Sequence, residues 1–377
     1  MNDLEQLLSD LVAIDSINPD LVPGAAGEAA IAAFIAGWLR AAGLEVRVAE
    51  VRPGRPNIIG IARGTGGGRS LLLNGHMDTV GVAGMCDPLQ PRIEGGRLYG
   101  RGAYDMKGGV AACMVAAAEA ARRNLRGDVV VTAVMDEEYA GLGTLAIAEQ
   151  VRADGAIVAE PTELQLVVAH KGFVWLEVAT QGVAAHGSRP HLGVDAIAKM
   201  GGVLTGLEQL AAELAQRPPH PLLGPPSVHA STIQGGGEWS TYPDRCTLAI
   251  ERRTLPGETG DDAEAELRAI VARLAAADPA FQAAVRRDLV RAPLETPAGA
   301  AILATVQQAA AGALGRPVEP TGVSFWTDAA SLHAAGIPTV LFGPLGAGAH
   351  AAEEWVDLAS VQTCAEVYLA TALAFCA

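Results

Sequence analysis

The apolar positions of this chain change their period twice along its length. Over roughly the first 170 residues, apolar runs too short for helices alternate with stretches of helical spacing. Residues 4–14 and 28–42 carry apolar side chains at i, i+3 and i+4 and predict helices, the second closed by Gly43. Residues 44–51 and 57–62 predict strands, and Leu71-Leu72-Leu73, ending in Asn74-Gly75, reads as a buried strand entering a loop. Residues 107–122 are Ala-rich and apolar on most sides, as suits a buried helix. The β-branched run 128–135, DVVVTAVM, predicts a central strand. A helix over 142–152 and a short strand over 155–159 complete an alternation that signals an α/β layer fold with a mostly parallel sheet flanked by helices.

Near Lys171 the pattern changes. Residues 174–180 (VWLEVAT) alternate as a strand with one wet face does. A helix over 194–215, a Pro-rich loop over 217–226, strands over 228–234 and 245–252, and a helix over 261–276 follow. This order is close to βαββαβ and predicts an α+β, ferredoxin-like insert with an open antiparallel sheet. From Pro293 the α/β character returns, with helices over 299–314 and 328–335, a strand over 338–342 and a last helix over 361–374. The expected organisation is a discontinuous domain, 1–172 plus 291–377, interrupted by a second domain, 173–290. A chain of 377 residues is long enough for two cores.

Charge and cysteine usage narrow the setting. Twenty-seven basic against 42 acidic residues give a net charge of −15, which argues against nucleic acid or an anionic membrane as partner. Cysteines 86, 113, 246, 364 and 376 are scattered without C-x-x-C spacing, as expected of reduced thiols in a cytoplasmic protein. The start, MNDLEQLLSDLVAID, lacks the basic-then-apolar build of a signal peptide. No apolar run reaches about 18 residues uninterrupted by charge, so no membrane span is expected.

The candidate chemistry clusters just after the expected strands, where α/β sheets place their ligands. His76 and Asp78 follow the strand at 71, two residues apart, so that a carboxylate can hold an imidazole and fix its tautomer. Asp105 lies in a Gly-rich loop, GRGAYDMKGG, ahead of a helix. Asp136-Glu137-Glu138 ends the strand at 128–135; adjacent carboxylates point different ways, so one can bind a metal while the other reaches a water. Glu160 in AEPT and His350 in GAGAHAAEEW complete the set. Each has a plainer explanation alone: Asp105 as a helix cap, Glu137-Glu138 as a solvated pair, His350 as a loop residue. Jointly these explanations fail, because carboxylates and His at five successive strand ends of one sheet have few structural uses. Two His with three or four carboxylates suit two divalent cations bridged by one carboxylate, the machinery of amide hydrolysis.

HMDTV, GRGAYDMKGG, MDEE, AEPT and the late His resemble, in order and over nearly the whole chain, the motifs of the M20 family of dinuclear zinc hydrolases. The resemblance implies a zinc-peptidase-like catalytic domain with an inserted lid and dimerisation domain. It implies His76, Asp105 and Glu160 on one zinc and Asp105, Glu138 and His350 on the other, with Asp105 the bridge and cobalt or manganese as alternative metals. Glu137 would be the general base, Asp78 would orient His76, and a cis peptide would join Asp105 to Met106. In the insert, His186 matches a residue that reaches the partner subunit's site in a homodimer to stabilise the oxyanion; its plainer explanation is a hydrogen-bonded loop residue. Arg253 matches the Arg that grips the substrate carboxylate, with Arg252 as the competing candidate. Ser240 departs from the pattern: relatives often carry Asn there, and the hydroxyl offers one donor in place of two. The function implied is two-metal hydrolysis of an N-acyl amino acid, as in acetylornithine deacetylase. A carboxypeptidase or dipeptidase of the same family is the alternative, for a small or dipeptide-like substrate with a free carboxylate. A non-catalytic scaffold and a metal-stapled structural protein are the readings from other classes; the first is opposed by every matched position being filled, the second by a spare Glu137 beside Glu138.

Overall fold

The run Leu71–His76 is wholly buried and sits at the middle of a mixed sheet, which is what an uninterrupted apolar strand is for. The computed structural model describes residues 3–377; residues 1 and 2, the start of the expected first domain, lie outside them. Across the sheet the strands run Glu45–Arg52, Arg55–Ala62, Val129–Val134, Leu71–His76, Gly155–Val158, Thr339–Leu341, Leu166–His170. The central four are parallel, with His76 opposite Val134 and Leu341 opposite Val158. The flanking pairs are antiparallel, so the sheet is mixed, with its parallel strands at the centre. The aligned register brings the carboxyl ends of the central strands to one edge.

Helices Ala29–Ala41, Gly108–Ala121, Ala301–Leu314 and Leu358–Phe375 pack on this sheet. Gly108–Ala121 is buried on nearly every side, and its Ala and Gly content lets it lie close to Leu358–Phe375. Gly109 shows how close: a Cβ there would come within 2.1 Å of the Ala159 carbonyl, beside Glu160. Leu358–Phe375 is long and apolar enough to cross a membrane by length and composition, but half of it is buried inside this core, as a core helix would be.

A second, four-stranded sheet was not apparent in the sequence. Strands Arg92–Glu94, Arg97–Tyr99, Trp355–Asp357 and Gly346–Ala347 pair antiparallel, with Trp355 opposite Tyr99. It lays the segment around His350 alongside the one leading to Asp105.

By contacts the chain divides into two units. One comprises the chain up to Val168 with Thr296–Thr321 and Thr327–Ala377; the other comprises Ala169–Glu295 with Gly322–Trp326. The second unit holds strands Gly172–Gln181, Ser227–Gly235, Arg245–Thr254 and Gln282–Arg291 with helices Ala196–Gln216 and Gly260–Ala277, a βαββαβ order. Its sheet order places Arg245–Thr254 and Gly172–Gln181 at the centre, all pairs antiparallel. The helix Gly260–Ala277 starts at a capping box, Thr259 and Asp262 exchanging side-chain and backbone bonds.

Candidate active site

Strand ends set the first part of the site. His76 closes its strand 1% exposed, and its Nδ1 donates to the Asp78 carbonyl at 2.9 Å. That fixes the tautomer and aims Nε2 at carboxylates: Asp105 Oδ1 at 3.2 Å, Glu160 Oε1 at 3.8 Å and Glu137 Oε2 at 3.9 Å. The Asp78 carboxylate, expected to hold the ring, is 3.7 Å from Nδ1. It instead accepts from Asn18 Nδ2 at 2.8 Å and from the backbone N–H groups of Glu137 and Glu138 at 3.1 and 3.2 Å. Asp78 therefore orients His76 through its main chain and pins the Asp136–Glu138 turn through its side chain.

That turn is sharp. Asp136 has φ +68°, uncommon for a side-chain-bearing residue, and is buried, its Oδ1 receiving Asn18 Nδ2 and Arg55 Nη2 at 3.2 Å each. Arg55 also makes a paired contact with buried Glu28 at 2.8 and 2.6 Å. A buried polar network thus reaches from the chain's first loop, through Asn18 and Asp78, to the backbone N–H groups of Glu137 and Glu138.

Asp105 is not at a strand end of the main sheet; it lies in an irregular turn, Ala103–Lys107, leading into the helix Gly108–Ala121, and a cis peptide joins it to Met106. One of its oxygens faces His76, and the other faces His350 Nε2 at 3.4 Å; His350 also meets Glu138 Oε2 at 3.0 Å. His350 is half exposed and adopts φ +62°. Ligand-type atoms of His76, Glu137 and Glu160 lie within 4.8 Å of one another, as do those of His76, Asp105 and Glu138.

The charges are uncomfortable without a cation. Burial, then the charge of Glu160, pushes the Glu137 carboxyl well above the usual range; burial, then Asp105 and Glu138, does the same to Glu160. Asp328 adds its negative charge to both, a site neighbour the sequence analysis did not single out. Burial alone would raise Asp105, but hydrogen bonds from His350 and His76 hold it well below the carboxylate range. Hydrogen bonds to Asp105 and Glu138 push His350 up to about 10. Burial lifts Asp78 to about 7. Glu138 Oε1 and Glu160 Oε1 are buried and have no hydrogen-bond partner among the described residues. Two His, one Asp and two Glu, with orphaned inward carboxylate oxygens, fit divalent cations.

The other expected residues lie in the second unit. His186 is exposed; its Nδ1 accepts from Ser188 N at 3.2 Å and meets the Ser188 hydroxyl at 2.8 Å. The Ser240 carbonyl accepts from Gly187 N at 2.7 Å, so the two loops are neighbours. Arg252 is 2% exposed and locked between Glu258 and Glu266, at 2.7 and 2.9 Å. Arg253 is more open, paired with Glu251 at 2.7 Å and lying over Phe173. Alternation in its strand, with Cys246, Leu248, Ile250 and Arg252 all buried, was the signal that separates the two arginines.

Residues 72–374 match the model of peptidase family M20/M25/M40. An acetylornithine deacetylase of Myxococcus xanthus is 33% identical over 388 aligned residues, covering 99% of this chain and 97% of the relative. N-formyl-4-amino-5-aminomethyl-2-methylpyrimidine deformylase of Bacillus subtilis is 29% identical, covering 94% of this chain and 91% of the relative. In fold the chain is similar to a dinuclear metal binding peptidase of the M20 family from Bacillus subtilis, with a TM-score of 0.76, 17% identity, and coverage of 99% and 97%. With candidate metal-ligating side chains gathered in one unit and a full-length match, the chain belongs to peptidase family M20/M25/M40 and is a metal-dependent hydrolase of C–N amide bonds.

Proposed function

We propose that this chain hydrolyses the amide bond of an N-acyl amino acid, in the manner of an acetylornithine deacetylase, and releases the free amino acid. The observation that carries the reading is Asp105, whose two oxygens meet His76 on one side and His350 on the other. His76, Asp105 and Glu160 would hold one cation and Asp105, Glu138 and His350 a second, zinc first, cobalt or manganese as alternatives. When bound, such a pair supplies Lewis acidity toward the scissile carbonyl and a water of lowered pKa. Glu137, which the assignment leaves without a metal, takes a proton from the attacking water and returns it to the departing amine. His186 accepts at Nδ1 from Ser188 N, which leaves Nε2 as the protonated nitrogen, suited to an oxyanion in the partner subunit of a homodimer. Arg253 grips the substrate carboxylate, and Ser240 contributes one hydroxyl.

The second unit serves as lid and dimerisation domain; exposed Val183, Leu192, Ile197 and Ile233 support a role in pairing. All five cysteines are free, which supports a reducing, cytoplasmic setting. The name borne by the Myxococcus xanthus relative supports the acyl class over a metallo-carboxypeptidase or dipeptidase. Zinc-reconstituted protein assayed on N-acyl amino acids, with dipeptides and aryl- or folyl-glutamates alongside, tests the reading. Turnover of the acyl amino acids, lost on chelation, is expected; hydrolysis of the peptides alone would move the enzyme to the alternative.

A further inference from the structure

Glu354 stands four residues beyond His350 and is 1% exposed, whereas its neighbour Glu353 is exposed. Its carboxylate receives four donors. Oε2 accepts from Arg101 Nη1 at 2.6 Å and from Gly102 N at 2.9 Å; Oε1 accepts from Tyr104 N at 2.9 Å and Asp105 N at 3.0 Å. The tie runs in both directions. Arg101 Nη2 donates to the Ala351 carbonyl, next to His350, at 2.9 Å, and Gly100 N donates to the Glu354 carbonyl at 3.1 Å. Gly102 makes the approach possible, with φ +77° and no room for a Cβ, which would lie 2.7 Å from Thr79 Cγ2.

One buried carboxylate therefore fixes the backbone of the segment that ends at Asp105, from 249 residues away. Its own loop carries His350, which must meet Asp105 Oδ2 and Glu138 Oε2 together. A carboxylate with both oxygens doubly engaged has no rotamer freedom left, so the two segments move as one piece. We propose that Glu354, acting with Arg101, is a positioning residue that keeps His350 in register with Asp105, so that the cation completed by His350 depends on it for affinity. The inference rests on the two-cation reading.

The test titrates zinc into metal-free, full-length wild type, Glu354→Gln and Arg101→Lys against a competing chromophoric chelator. Gln keeps the volume but turns an NH2 group toward N–H donors. Wild type should bind two zinc ions. Glu354→Gln should keep one affinity within about twofold and lose about 10- to 100-fold in the other, the range for disturbed partners of metal ligands. Arg101→Lys should weaken the same ion by a smaller factor. Two unchanged affinities in a folded Glu354→Gln protein, or equal loss at both ions, would overturn the proposal. If Glu354→Gln does not fold, Arg101→Lys decides: a selective loss supports the proposal and unchanged affinities overturn it. Fewer than two zinc ions on the wild type would instead refute the two-cation reading, before any variant is considered.

Discussion

Asn18 is the smallest part on which the Asp136–Glu138 turn depends. It is fully buried, and its one amide nitrogen bonds two carboxylates, Asp78 at 2.8 Å and Asp136 at 3.2 Å. Asn18→Ala removes both. Asp78 would keep only the backbone donors of Glu137 and Glu138, at 3.1 and 3.2 Å, near the long end of the N–H···O range. Asp136 would keep Arg55 at 3.2 Å. A hydrogen bond to a charged group is worth about 1.5–3 kcal/mol, and the shorter contact is the stronger, so the loss should be about 2–4 kcal/mol in all. Because the same carboxylate pins the backbone of Glu137, kcat should fall about 10- to 100-fold, or about 1.4–2.7 kcal/mol, with KM little changed. Urea denaturation of the metal-free protein measures the first quantity and steady-state kinetics at fixed zinc the second. A variant within about 0.5 kcal/mol of wild type and twofold in kcat would refute the clamp.

Glu137→Gln should bind both zinc ions as wild type does while losing most of its turnover; retained turnover in a metal-replete variant sinks the base assignment. His186→Ala should lower kcat with zinc content intact, and a fully active monomer would exclude a cross-subunit role. Lys107 gives a pH signature. Burial holds its amine down to about 7 although Glu354 and Asp15 oppose the shift, and its Nζ donates to the Ile14 carbonyl. The unfolded chain, with an ordinary Lys, binds the extra proton between about 7 and 10.4, so the native state gains from this residue as pH rises through that window and is penalised in full below it. Metal-free wild type should therefore gain stability relative to Lys107→Met between pH 7 and 9, by about 2–3 kcal/mol at 1.36 kcal/mol per pKa unit. A stability difference that does not change with pH would refute the burial argument.

What the sequence made legible follows from where apolar pattern decides. The strand Leu71–His76 and the run Val129–Val134 are buried on both faces, and their composition says so. The helix Gly260–Ala277 is legible from the helical spacing of its apolar positions over 261–276, while the capping box at Thr259 and Asp262 emerges only from the structure. Gln282–Arg291 hid because both of its faces mix apolar and charged residues and carry no clean alternation, and only pairing with Gly172–Gln181 makes it a strand. The short sheet around Trp355 hid for another reason: strands of two or three residues have no period to read. Contacts place the change of unit at 168/169 and 295/296, and they also carry Gly322–Trp326 into the second unit, a long-range association that no local pattern announces.

In the site, residue type and order pointed to His76, Asp105, Glu138, Glu160 and His350, and these are the side chains that the first unit brings within a few ångströms of one another. Their supports were not legible. Asn18 looks like one polar residue of a turn, and Glu354 is one of two adjacent glutamates whose difference in burial is set by the pairing of Trp355 with Tyr99. The Asp78 carboxylate was expected to hold His76; in the structure its carbonyl does so, and which of its oxygens does what depends on the backbone trajectory through Asp136.

The most direct test of the account is an anomalous-difference map of crystals of the zinc-loaded enzyme, collected at the zinc edge. Two peaks about 3.5–4 Å apart, one on each side of the Asp105 carboxylate, with His76 at one and His350 at the other, is the predicted result. A single peak, or two peaks of which Asp105 touches only one, would contradict it.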